Sequence, residues 1–292
     1  MKHAYLIMAH NEIELLKLLL KKLDNSNNLI FLHCDTKFNC DIESLYSVVK
    51  FSKIHLIKRM NVKWGKYSQI QCELELLKEA VKEECDYYHL ITGVCLPIKS
   101  NDEINSFFEK NKGSEFISYD KTANETRNFV NCFDRWHFRL NSSKQNLLLH
   151  RFIQLCNIPL HILEKIANLL TGPRSKKFSH LKFLKGSAYF DITHSLASYI
   201  VNKEPEIKRI FKFTRCCDEV FLHTFAYNSP FADNITFRGT RYIDWHKHGS
   251  SPEILTLDHY EKLVESDYLF ARKFSSSKSK ELIKKLYNVE IS

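Results

Sequence analysis

Apolar residues in the first 120 positions follow two alternating patterns. Short, nearly unbroken runs at Ala4–Ala9, Leu29–His33, Lys53–Ile57, Tyr87–Thr92 and Glu115–Ser118 have the length of strands. Between them, apolar positions recur at helical spacing, in a segment ending at Leu23 and then over Ile42–Lys50, Ser68–Glu84 and Asn101–Lys110. Asn11, with Glu14 three residues on, predicts a capping box at the start of the first helix. Strands and helices taking turns imply a mainly parallel sheet covered by helices. Ligands of such sheets bind beyond the carboxyl ends of the strands, which gathers His10, Asp35 and the Thr92–Pro97 loop on one rim.

Residues 120–180 break this rhythm. Arg127, Arg135, Trp136, His137 and Arg139 form a polar-aromatic stretch. It reads equally as a ligand site, with aromatic faces to stack and guanidinium forks to bind hydroxyls or acids, or as a surface helix with a few packed aromatics. The apolar segment Gln145–Leu170 predicts a long helix, either buried or in contact with a membrane, with the core preferred, and Thr171–Ser179 reads as a mobile basic loop.

A third region is denser in signals. In Lys185-Gly186-Ser187-Ala188-Tyr189-Phe190-Asp191-Ile192-Thr193-His194, the small residues predict a turn into a short apolar strand. Thr193 can cap a helix running through Leu196, Tyr199 and Ile200. Downstream, Asp218-Glu219 precede Val220-Phe221-Leu222, which places two carboxylates at the start of another apolar helix. Backbone N–H groups there favour negative charge, so such a carboxylate is expected to stay ionised near neutral pH and can act as a general base. Acidic residues in a first helical turn are also ordinary, and the pair alone leaves both readings open.

Composition narrows the class. A chain of 292 residues with 44% hydrophobic content, 7 Gly and 6 Pro is globular and long enough for a large core. No run approaches the ~18 consecutive apolar residues of a spanning helix. Nine Cys without a Cys-x-x-Cys pair suggest neither a disulfide framework nor a zinc site, so a reducing cytoplasm is the expected setting. The net charge of +9 suits a nucleic-acid binder or an enzyme that holds a nucleotide diphosphate and visits an anionic membrane surface. No nucleic-acid-binding motif accompanies it, and the second reading is preferred.

The blocks together resemble a known family. The two segments above, Ala4–His10, Ile30–Lys37, Trp64-Gly65, Tyr87–Ser100, Tyr242–Trp245 and Leu269–Phe274 stand in the order found in glycosyltransferase family 14. That family contains the core-2/I-branching β-1,6-N-acetylglucosaminyltransferases and the peptide O-xylosyltransferases. The resemblance implies an α/β, GT-A-like single domain over 1–274, with a Rossmann-like nucleotide-sugar half at 1–120 and an acceptor half at 121–274. A basic helical tail is expected at 275–292. It also suggests a bacterial, cytoplasmic member, in peripheral contact with the membrane through Thr171–Ser179 or the tail.

Site roles follow from the same resemblance. Glu219 would be the base of an inverting transfer. Ala9, His10, Asp35 and Trp64 would bind the donor, with uracil and ribose against His10 and Asp35. Asp218, Trp245, Arg135 and Ser187 would face the acceptor. The chain has no Asp-x-Asp motif, the usual metal holder of such folds, so no cofactor and no metal is expected. Lys273, aligned with a family cation, and its neighbour Arg272 would then offset charge on the departing diphosphate. One departure stands out: Ser251-Pro252 is followed by Glu253 where the family carries a second cation. His246, Lys247, His248 or Arg241 are the substitutes at hand. Cys95, where many relatives have an acid, reads as a packed residue.

The implied partners are a UDP-sugar donor and a glycan or lipid-linked oligosaccharide acceptor. N-acetylglucosamine is the first choice of sugar, with xylose, galactose or glucose served by the same residues. A non-catalytic glycan- or nucleotide-binding protein is the alternative class, and a nucleic-acid partner is not expected.

Overall fold

The computed structural model describes residues 1–126, 129–140, 147–245 and 251–291. Nine strands are found among them: β1 His3–Ala9, β2 Asn28–Cys34, β3 Lys53–Leu56, β4 Tyr87–Thr92, β5 Leu96–Pro97, β6 Phe116–Ile117, β7 Phe190–Thr193, β8 Arg241–Ile243 and β9 Phe270–Arg272. Six form one sheet in the order β3-β2-β1-β4-β7-β6, and β5-β9-β8 form a second. Pairings among β1 to β4 are parallel, and β7 runs against both its neighbours. The α/β expectation of a mainly parallel sheet flanked by helices therefore holds. Because β7 from the second half of the chain inserts between β4 and β6 of the first, the two expected halves share one sheet.

Alternation along β1 explains the two-sided core. Tyr5, Ile7 and Ala9 face a core that includes the helices Ile13–Leu23, Asn101–Lys110 and Lys280–Tyr287. Ala4 and Leu6 face the opposite core, with the helices Tyr67–Val81, His194–Asn202, Glu204–Phe211 and Phe221–Tyr227. Strands buried on both faces read as continuous apolar runs, which is why these were legible in the sequence.

Three local expectations are corrected. The first helix starts without the Asn11–Glu14 box: Glu12 caps it in the left-handed region (φ 59°), with no side-chain cap bond. The Glu12 carboxylate instead accepts the Ser276 N–H, and Glu14 pairs with Lys17 at 3.0 Å. The expected C-terminal tail is helical over Lys280–Tyr287 but does not stand apart. Leu282 and Ile283 are buried in the first core, and the Tyr287 hydroxyl donates to the Pro97 carbonyl at 2.8 Å. The stretch Thr171–Ser179 is anchored: Arg174 is buried over the Trp136 ring, its guanidinium donates to the Ile210 carbonyl, and Phe178 is also buried.

The largest correction concerns the expected core helix, observed as Leu147–Thr171. Residues 145 and 146 lie outside the described range, as does Arg127. Only Glu164 of the helix is buried. Its carboxylate accepts the N–H groups of Phe138 and Arg139 at 2.7 and 3.0 Å, and the Arg139 Nε lies at 2.9 Å. Asn168 accepts the Trp136 N–H at 3.0 Å, and Asn157 exchanges two bonds with the Leu140 backbone. The helix is thus held to the protein by its polar edge. Backbone groups at 136–140 lack a sheet partner and need these acceptors, a demand that outweighs burial of the apolar side. Trp136 and Phe138 pack with Phe213, so their part of the polar-aromatic stretch is a packed cluster.

Between the two sheets lies a buried ionic node. Asp191 of β7 meets His89 Nδ1 of β4 at 2.7 Å, accepts from Thr240 Oγ1 at 2.6 Å, and pairs with Arg241 of β8. Arg241 also donates to the Leu90 carbonyl at 3.1 Å. Burial alone would raise the Asp191 pKa, but the Arg241 and His89 charges pull it down to about 2. Arg241, a sequence candidate for the diphosphate clamp, is therefore a structural cation that fixes the small sheet against the large one.

Candidate functional site

The carboxyl ends of the parallel strands meet as the sequence suggested. Ala9 ends β1, and its carbonyl accepts the Asp35 N–H at 2.8 Å just past β2. The Asp35 carboxylate accepts the N–H groups of Lys37 and Val62 at 2.9 and 2.8 Å, so it also organises the loop after β3. Burial lowers the His10 pKa; Asp35 opposes this, while Lys273, Lys37 and Arg272 reinforce it. His10, Asp35 and the β9 cations therefore share one electrostatic neighbourhood. Arg272 lies over the Tyr189 ring at 4.6 Å. Its pKa, which burial would lower, is raised by Tyr189, Cys95 and Glu219. That coupling links the cation cluster to the carboxylate pair. Cys95 is fully buried with its Sγ 3.2 Å from Thr92 Oγ1, the packed residue expected.

Beside this cluster opens a cleft of about 250 Å³, lined by residues that include Trp64, Gln69, Lys185, Asp218, Glu219 and Trp245. Asp218-Glu219 lie in the turn just before the helix Phe221–Tyr227 rather than inside it. Gly65 has φ +67°, and its carbonyl accepts the Cys216 N–H at 3.0 Å, which brings the Trp64 loop against the acidic turn. Gln69 bridges the same two elements. Its carbonyl accepts the Gly65 N–H, and its amide donates to Asp218 Oδ2 at 3.0 Å. Trp64 and Trp245 on the cleft wall are 67% and 51% exposed.

Glu219 is half-buried, with Lys185 Nζ 3.2 Å away; the same ammonium stands 3.7 Å from Asp120. Burial would lower the Lys185 pKa, but these carboxylates outweigh it and raise it. The Gly186 N–H donates to the Glu219 carbonyl at 3.1 Å. A side chain at Gly186 would overlap the Ser118 carbonyl and the buried His223 ring, so only glycine fits this approach. Asp218 does not remain a simple carboxylate: burial and then the Glu219 charge push its pKa up to about 7. Behind it, Glu73 is fully buried, and burial with the Asp218 charge raises it well above the usual carboxylate range. Of these three neighbouring acids, Glu219 is the one with an ammonium beside it.

Two expected acceptor residues are not brought to the cleft. Arg135 is exposed at the end of the short helix Val130–Asp134. Ser187 is bonded internally: its N–H donates to Ser118 Oγ at 2.6 Å, and its hydroxyl accepts the Tyr189 N–H at 3.4 Å. Lys185 and Gln69 went unassigned in the sequence, although Lys185 opens a recognised block and Gln69 lies shortly after Trp64-Gly65. Glu253 contacts the clamp through backbone: its carbonyl accepts the Lys273 N–H at 3.4 Å. His246, Lys247 and His248 lie outside the described residues. Among those described, no three His, Cys, Asp or Glu side chains gather as metal ligands would. A larger hollow of about 580 Å³, lined in part by Asp86, Lys112 and His194, opens at the amino ends of β1 and β4. Ligands of doubly wound sheets bind at the other rim, so the smaller cleft is the candidate.

The class is thus an α/β protein whose main sheet gathers an acid, an adjoining ammonium and a cation cluster at its carboxyl rim. The particular family follows: residues 3–267 match the Core-2/I-Branching enzyme family, and the chain belongs to it. It is 22% identical to rat xylosyltransferase 2 over 96% of this chain and 32% of that protein. A human β-1,3-galactosyl-O-glycosyl-glycoprotein β-1,6-N-acetylglucosaminyltransferase matches 35% of this chain and 25% of its own length at 29% identity. The chain thus spans a third or less of these curated relatives. The apo structure of mouse xyloside xylosyltransferase 1 superposes over 92% of this chain and 96% of its own, with a TM-score of 0.40 and 10% identity.

Proposed function

We propose that the chain is an inverting glycosyltransferase that moves a sugar from a UDP-sugar to a hydroxyl of a glycan acceptor, with Glu219 as general base. The observation that carries this reading is the Lys185–Glu219 pair at 3.2 Å in the cleft, close enough to Arg272 for the Glu219 carboxylate to act on its charge. The Lys185 ammonium holds the Glu219 carboxylate in place, and Glu219 takes the acceptor proton as the hydroxyl oxygen attacks the anomeric carbon. Negative charge grows on the departing diphosphate, where Arg272 and Lys273 offset it without a metal ion. Trp64 and Trp245 offer faces for stacking on sugar rings. The favoured donor carries N-acetylglucosamine, with xylose, galactose or glucose as alternatives. The setting that fits is bacterial surface-polysaccharide assembly at the cytoplasmic side of the membrane, with a glycan or lipid-linked oligosaccharide as acceptor.

UDP release from a panel of UDP-sugars, with and without EDTA, tests both donor and metal. Release from one donor, unchanged by EDTA, is expected; loss in EDTA would refute metal independence. Glu219→Gln should retain donor binding and lose roughly two to four orders of magnitude of transfer. Near-normal transfer in that variant would remove Glu219 from its role. Donor binding without release or transfer across acceptors would favour a non-catalytic binding protein.

A further inference from the structure

The helix Leu147–Thr171 is inside out. Its polar edge, at Asn157, Glu164, Asn168 and Thr171, is bonded to residues 136–140 of the protein. Its apolar side faces outward: Leu148, Leu169 and Leu170 are 80%, 84% and 78% exposed, and Phe152, Leu155 and Ile162 are each more than half exposed. Surface helices of globular proteins show the reverse order. With 3.6 residues per turn, the exposed apolar positions sweep about half of the circumference along 25 residues, a length of roughly 37 Å.

Charge says what covers this face. Arg151, Lys165, Lys176, Lys177 and Lys182 are all exposed on or just beyond the helix. The only acid between 147 and 182 is Glu164, which is buried and paired with Arg139. An apolar arc flanked by cations matches an anionic bilayer, where acyl chains meet negatively charged headgroups. A second copy of the chain would bury a narrow seam and leave most of so wide an arc in water. Crossing the bilayer does not fit either. No helix among the described residues is long and apolar enough, and Pro159 and the bonded polar edge hold this one to the protein.

We infer that Leu147–Thr171 lies in the plane of an anionic membrane surface, apolar arc inward, with Lys176 and Lys177 in the headgroup layer. The docked strip also adjoins the cleft. Lys66 Nζ donates to the Arg139 carbonyl at 2.8 Å, and the His137 N–H donates to the Phe213 carbonyl at 3.0 Å; Lys66 follows Trp64-Gly65, and Phe213 precedes the acidic turn. If the transfer reading above holds, a lipid-linked acceptor would reach Glu219 from the same membrane.

Flotation of the full chain with vesicles of phosphatidylglycerol and phosphatidylcholine, against pure phosphatidylcholine, tests the inference. Binding is expected with the anionic vesicles, weakened by salt, and less with the neutral ones. A quadruple variant, Leu148→Gln, Leu155→Gln, Ile162→Gln and Leu169→Gln, should lose vesicle partition by roughly a thousandfold. Its melting temperature should not fall, because these side chains contact water in the lipid-free protein. UDP release from a soluble donor should also persist, so loss of docking and failure of the transfer reading are scored separately. Absence of flotation with either vesicle, or flotation unchanged in the variant, overturns the inference. So does a lipid-free dimer that the quadruple variant converts to monomer, which would assign the face to a second copy.

Discussion

Asp218→Asn is expected to stabilise the folded chain above neutral pH and to change it little in acid. The carboxyl is half-buried behind Glu219, and its pKa rises from the usual 3.8 to about 7 through burial and the Glu219 charge. In the unfolded chain it ionises near 3.8, so between these values the native state holds a proton that the unfolded state has lost. Stability therefore falls as pH rises through that window and levels off above it. Each tenfold change in proton affinity is worth about 1.4 kcal/mol, which sets a ceiling of ~4 kcal/mol. Asp218 faces a cleft open to water on one side, and screening there leaves roughly 1–2 kcal/mol. Asparagine has the shape of the neutral acid and keeps an oxygen to accept from Gln69 Nε2. Urea unfolding of both proteins below about pH 4 and above about pH 8 measures the effect. The stability difference should grow by roughly 1–2 kcal/mol between the two conditions, in favour of the variant. A difference that does not vary with pH, or a variant weaker in alkali, would refute the reasoning.

The Gly186 approach and the ionic node give two further expectations. Gly186→Ala should cost about 3 kcal/mol or more, because the Ser118 carbonyl and the packed His223 ring occupy the space, and it should separate Lys185 from Glu219; wild-type thermal unfolding together with wild-type transfer would contradict it. Asp191→Asn should cost roughly 3–5 kcal/mol by leaving the Arg241 charge buried without its counter-ion. With the Asp191 pKa held at about 2, its stabilisation is present above 3.8 and is lost as pH falls toward 2. Urea unfolding across that range should show a smaller acid loss in the variant, and equal losses would count against the assignment.

Several elements were legible from local pattern alone. Strands β1, β2 and β4 carry apolar residues on both faces and so announce themselves without any partner. Thr193 caps its helix through the Leu196 N–H at 3.4 Å, as its place before the apolar spacing implied. The rim holding His10 and Asp35 followed from strand direction, since parallel strands put their carboxyl ends together.

Tertiary structure decided what those groups do. Lys185 meets Glu219 because the reversed strand β7 brings the turn before it beside the turn at 217–220, a contact between distant residues that no periodicity encodes. Arg241 reads as a free cation in sequence and is a buried counter-ion in the fold. Asp218 shifts toward the neutral form because Glu219 and burial act on it together. The helix Leu147–Thr171 states the point most plainly. Its sequence determined that it would be amphipathic, while the backbone at 136–140 decided which face turned inward. Local spacing fixes the faces of an element; the direction in which a face points depends on which hydrogen-bonding groups elsewhere in the chain remain to be satisfied.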